Sequence, residues 1–212
     1  MRKALPALAP AVALILAFGS ARPAGAAVRV SLNAGFASAL QSSDGGGWAA
    51  AAAGELDLNP FLALGLRISR AEFAIKGSDS GLGRGRLAVI PVEAFLQFRW
   101  PGSGSFKPYL SVGGGYAINS STLQADVVSS WNAVGFRPVD SIGNAPAFTA
   151  AAGFDLAVGS RLFLDVQVRI LIATAPGTWS LTDVATGLRA GGSMTGQSLN
   201  SVAAGLGLKY GF

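Results

Sequence analysis

An all-β fold, an eight-stranded antiparallel up-and-down transmembrane β-barrel after a cleaved signal peptide, is predicted for this chain from three observations. Apolar residues recur at every second position through eight stretches of roughly ten residues, the length a tilted strand needs to cross a bilayer. Connections between these stretches alternate short and long, as an up-and-down barrel requires when both ends lie on one side. The closing residues carry the alternation to the last position, with Val202, Ala204, Leu206, Leu208, Tyr210 and Phe212 on the greasy side. A strand with nothing after it must pair with an earlier one. If that partner is the first strand, the sheet closes and leaves no unpaired backbone in lipid.

The 212 residues are half apolar, yet the one long apolar run is Ala4 to Gly19. Arg2 and Lys3 precede it and Ala24-Gly25-Ala26 follows, a small-x-small cleavage pattern. The run is short and holds Pro6 and Pro10, so residues 1–26 read as a secretory signal and residues 27–212 as one barrel domain. Arg2, Lys3 and Arg22 leave with the signal, and 13 basic residues then stand against 11 acidic ones. So even a balance excludes a nucleic-acid footprint. Cysteine is absent, which excludes disulfides and thiolate metal sites, and histidine is absent too.

Strand one places Val28, Val30, Leu32, Ala34 and Phe36 outward, and the polar run 41–47 follows. Strand two, from about Trp48 to Leu58, faces Glu55 and Asp57 inward. A three-residue loop, Asn59-Pro60-Phe61, leads to strand three, with Leu62, Leu64, Leu66 and Ile68 outward. Beyond Arg70 the greasy positions become Phe73 and Ile75, which predicts a bulge or a strand leaving the bilayer. After the loop 77–85, strand four runs from about Arg86 to Trp100, and strand five from Pro108 to Asn119 with a small-residue inner side. Residues 120–146 read as a long loop. Strands six and seven carry Phe148 to Val158 and Leu162 to Ile172 outward, joined by Gly159-Ser160-Arg161, and Ala173 to Thr195 reads as a second long loop. A ten-stranded alternative pairs Leu123–Val128 with Ala133–Val139.

Aromatic residues provide a separate test. Phe36, Trp48, Phe73, Tyr116 and Phe148 fall at the outer rim, and Phe98, Trp100, Phe106, Tyr210 and Phe212 at the inner rim. Two such girdles belong at lipid-water interfaces; a soluble sandwich would need neither. The inward charges are Arg29, Arg67, Arg99, Arg169 and Lys209 against Glu55, Asp57, Glu93, Asp155 and Asp165. An eight-stranded lumen is only wide enough for side chains, so these are expected to pair across it as a polar plug. The alternative is a narrow gated conduit whose ion pairs exchange partners.

The segment IPVEAFLQFRWPGSGSFKPYLSVGGGYAIN resembles the small outer-membrane β-barrel superfamily, which includes the transmembrane domain of outer-membrane protein A and the opacity and attachment-invasion proteins. The ending GLGLKYGF is similar to the carboxyl-terminal signal of that class, which implies recognition by the barrel-assembly machinery through the strand ending at Phe212. The resemblance implies a bacterial outer-membrane location, with outer-membrane lipid and lipopolysaccharide as partners. A cell-wall-binding domain of longer members has no counterpart here.

Barrel enzymes of this class use a histidine base, so no catalytic residue is expected, and Ser120, Ser129 and Ser130 read as solvated loop residues. Neither GLGRGR nor GGGY opens a helix or matches a phosphate loop. Asp44, Asp79, Asp126, Asp140 and Asp183 lack calcium-loop spacing, so no metal or cofactor is expected. Function then falls to the outer loops, where Trp131, Phe136, Trp179 and Leu181 are available for contact and Arg84, Arg86, Arg137 and Arg189 for lipopolysaccharide phosphates. The expected role is structural, adhesive or envelope-protective, with a porin-like channel as the alternative.

Overall fold

The computed structural model describes residues 27–40, 44–75, 85–100 and 104–212. The signal segment, Asp79 and Arg84 lie outside them. Among the described residues there are ten strands, β1 (Val28–Ala39), β2 (Asp44–Asn59), β3 (Leu62–Ile75), β4 (Gly85–Arg99), β5 (Phe106–Leu123), β6 (Phe136–Ile142), β7 (Ala145–Ala157), β8 (Leu162–Asp183), β9 (Arg189–Ser198) and β10 (Ser201–Gly211), with one helix, α1 (Ala125–Ala133). Eight of them, all but β6 and β9, form an antiparallel ring in the order β1-β2-β3-β4-β5-β7-β8-β10, and β10 returns to β1 from Arg29↔Gly211 to Ala39↔Ser201.

Following paired residues around the ring from Arg29 passes Glu55, Gly65, Phe95, Gly113, Thr149, Leu171 and Ser201, and arrives at Ala39. That return ten residues higher on β1 is the stagger of the barrel. With eight strands it sets a tilt of about 40–45°. Odd-numbered side chains face the lumen on all eight strands, because no register shift in the ring changes parity inside the hydrocarbon band.

The even-numbered face carries the girdles. Phe36, Trp48, Tyr116 and Phe148 are exposed at the outer rim, and Phe98, Trp100, Phe106, Tyr210 and Phe212 at the inner. On β5, Phe106 and Tyr116 are ten residues apart, about 24 Å along the axis at this tilt, which matches the apolar band of outer-membrane barrels. Phe73 is a correction. The β2–β3 and β3–β4 ladders run through Arg70 without a bulge, so Phe73 points into the lumen and is 3% exposed, while Arg70 and Glu72 face outward.

The inner turns are short. Asn59 Oδ1 accepts from the N–H groups of Phe61 and Leu62 at 2.8 and 2.9 Å, which tightens the expected three-residue loop to Pro60-Phe61. Val158 and Leu162 face each other across Gly159-Ser160-Arg161, as the spacing predicts.

The outer side departs furthest from the sequence reading. Residues 173–183 continue β8 beyond the ring, and β6 and β9 flank that extension as a three-stranded sheet. Pro176, with no N–H to donate, cannot continue a regular ladder here. The ladder instead shifts register between Ala175 and Gly177, and the Pro176 carbonyl accepts from Gly143 N–H at 2.7 Å, so the missing donor is accommodated at an irregularity. The ten-stranded ring is excluded: Ala125–Val128 opens α1, and Phe136–Val139 pairs with β8. Helix α1 carries Asp126 in its first turn and ends at Gly135, whose φ of 86° closes the helix with its N–H on Asn132 O.

Candidate functional site

Every one of the ten charges predicted to face inward does so; nine of them divide into two layers, and the tenth, Asp165, is held by Tyr109. Near the inner end, Arg29 Nη2 donates to Asp57 Oδ2 at 2.8 Å, Asp57 also holds Arg99, and Arg99 holds Glu55. Glu55 Oε1 lies 3.2 Å from Lys209 Nζ, which reaches Asp155 at 3.1 Å, and Asp155 lies 4.0 Å from Arg29 Nη1. Six alternating charges thus close a circuit across the bore. With the ends of its amide exchanged, Gln97 accepts from Arg99 Nε at 2.9 Å. Higher up, Arg67 donates to Glu93 at 2.8 Å with its guanidinium 4.2 Å over the Phe95 ring, and Arg169 completes this second layer.

Two luminal groups escaped the sequence reading. Lys107, directly opposite Asp155 on β7, lies over the Phe163 ring at 5.3 Å; its alternation placed it inward, but Pro108 had been taken as the strand start. Tyr109 donates to Asp165 at 2.6 Å, and Gly153 makes room for it: a Cβ there would fall 2.6 Å from the hydroxyl. Asp155 and Asp165 stand directly opposite each other, so this hydrogen bond supports a carboxylate beside a like charge. Tyr109→Phe is expected to lower stability by about 1–3 kcal/mol, and Gly153→Ala to act in the same direction by displacing the ring. Denaturant unfolding in detergent checks both.

Above the two charged layers the bore becomes apolar. Ala37, Ala49, Ala71, Phe73, Leu87, Val89, Leu171 and Leu199 pack with alanines of β5, β7 and β8 into one buried cluster. The described lumen thus carries ion pairs in its inner half and packed hydrocarbon above them.

Outside the ring, Trp131 meets Phe136 edge to face at 6.4 Å, and Trp179 lies against Gly192, where a Cβ would be 3.0 Å from its Nε1. Trp131, Phe136 and Trp179 are half-buried. Arg137, Thr182 and Arg189 are directly opposed across β6, β8 and β9, so both arginines emerge on one face of the outer sheet. Arg189 donates to Ser180 Oγ at 2.9 Å, and Arg86 and Arg137 are exposed. Ser129 and Ser130 donate to the Ala125 and Asp126 carbonyls at 2.7 and 2.9 Å, as helix residues do. Backbone N–H groups of Thr186 and Ala185 hold the Asp183 carboxyl below the usual carboxylate range. Among the described residues no acidic group could hold a metal ion.

The family model for the outer membrane protein β-barrel domain matches residues 11–212. The chain belongs to this family. It is a bacterial outer-membrane barrel, and the girdles and closed ring described above are its membrane-spanning part. Among solved structures, it is similar to Neisserial surface protein A, with TM-score 0.55, 16% identity, and coverage of 89% of this chain and 98% of that one. The outer membrane protein OprG from Pseudomonas aeruginosa aligns with TM-score 0.54, 13% identity, and coverage of 87% and 95%. The Escherichia coli outer membrane protease OmpT aligns with TM-score 0.50, 12% identity, and coverage of 90% and 97%. At these identities the likeness is one of fold. No curated protein sequence matches the chain closely enough to count as a relative.

Proposed function

We propose that this outer-membrane barrel is non-conducting and non-enzymatic, and that it acts at the cell surface in a structural, adhesive or envelope-protective role. The observation that carries this reading is the apolar cluster across the outer half of the lumen, since a conduit built on exchanging ion pairs has no continuation through Phe73, Leu87 and Val89. What remains accessible is the outer sheet. Its two same-face arginines, Arg137 and Arg189, suit the phosphates of lipopolysaccharide, whose oxygens accept forked guanidinium hydrogen bonds. The carboxyl-terminal strand ending at Phe212 is the segment the assembly machinery would read. The absence of histidine leaves the serines without the usual base.

Planar-bilayer recordings on refolded protein are expected to show no steps above background, and regular conductance steps would restore the channel reading. Replacing 124–144 by a short Gly-Ser linker is expected to reduce cell or matrix adhesion while the ring still forms. Unchanged adhesion would leave a plain structural barrel.

A further inference from the structure

Midway up the lumen two guanidinium groups share one carboxylate oxygen. Arg67 Nη1 is 2.8 Å from Glu93 Oε1, and Arg169 Nη1 is 3.9 Å from the same atom, beyond hydrogen-bond reach. Arg169 is 9% exposed, and its Nη1 has no hydrogen-bond partner. It lines a void of about 20 Å³ together with Asn33 and Gln167, against a wall of alanine and glycine from β1, β2 and β10. The side-chain oxygens of Asn33 and Gln167 are likewise buried and unpartnered. Three residues with unpartnered polar atoms thus border one small space, the Asn33 amide resting over Gly207 at its side.

Glu93 balances one of the two arginines. The next carboxylate along β8, Asp165, is four residues below Arg169 and engaged by Tyr109. An uncompensated cation at this depth is strongly destabilising. A water in the void would satisfy hydrogen bonds and leave the charge in place. We propose that the void binds one monovalent anion of halide size, held by Arg169 with the amides of Asn33 and Gln167 turned to present their N–H groups. Turning an amide exchanges two nearly isosteric ends, so the side chains need no other movement. The volume admits a single-atom anion and is too small for sulfate or phosphate, since one water needs roughly 10–15 Å³ by the same measure.

The test uses the full barrel refolded in detergent. Crystals grown with bromide in place of chloride are expected to show an anomalous peak in contact with Arg169 Nη1. A peak absent there, or density without anomalous signal, means water and overturns the proposal. In solution, the unfolding midpoint is expected to be about 3 °C or more higher in chloride or bromide than in gluconate at equal ionic strength. Arg169→Met removes the charge and its need for a counterion, so its midpoint should be the same in all three salts. Equal midpoints in the unsubstituted protein, or a halide effect that persists in Arg169→Met, overturn it. Should Arg169→Met not fold, Arg169→Lys keeps the cation and is expected to keep the halide effect; losing it would overturn the proposal too.

Discussion

Lys209→Met is expected to lower the unfolding free energy by about 3–5 kcal/mol, the penalty of leaving a buried charge uncompensated. The ammonium is 1% exposed and lies 3.1 Å from Asp155 and 3.2 Å from Glu55, themselves almost fully buried. Removing it breaks the six-charge circuit at a member that lies within 3.2 Å of carboxylates on opposite sides of the barrel, on β2 and β7. Adding Asp155→Asn should recover part of the loss, because it removes one of the two stranded charges and the carboxylate opposed to Asp165. Urea unfolding followed by tryptophan fluorescence measures both variants. A loss below about 1 kcal/mol for the single substitution would mean that the circuit is hydrated rather than desolvated.

Phe73→Ala is expected to cost about 3–5 kcal/mol, the range for removing a buried ring from a packed cluster, with conductance remaining at background. Phe73 is the largest side chain of the outer seal, and its neighbours there are mostly alanines too short to collapse into the space. The two ionic layers beneath still fill the bore, so loss of stability and gain of permeability should separate. Parallel unfolding and single-channel measurements decide the matter. Steps appearing in Phe73→Ala would show that hydrocarbon packing alone had closed the pore and that the charged layers pass ions.

The ring and its inner charges were legible because, in the inner half of the barrel, each strand sets a greasy lipid side against a polar luminal side. Glu55 and Asp57, or Arg67, could go only one way. In the outer half that contrast disappears, because both sides are apolar. Phe73 and Val89 face inward while Tyr116 and Phe148 face outward, and hydrophobicity alone cannot tell a lipid contact from a plug contact. The apparent change of parity after Arg70 was this ambiguity. Arg70 and Glu72 sit on the outer surface at girdle level, paired with each other and with Trp48 Nε1, which donates to Glu72 at 3.2 Å. A local pair of charges thus took positions on the lipid-facing side, where the alternation of strand three had placed apolar residues. The outer sheet was hidden for a different reason. Strand β6 finds its partner some forty residues later, across Pro176 and Gly177, and no local signal marks that pairing.

Strand β10 follows the other ring strands in the chain, yet its ladders are with residues 29–39 and 162–171. The ring therefore cannot close until β10 has met both partners, and until then the sheet holds two open flanks against hydrocarbon. Long-range closure of this kind folds slowly. A chain lacking residues 201–211 would carry a permanent slit, with the donors and acceptors of β1 and β8 facing each other across lipid and nothing to bridge them.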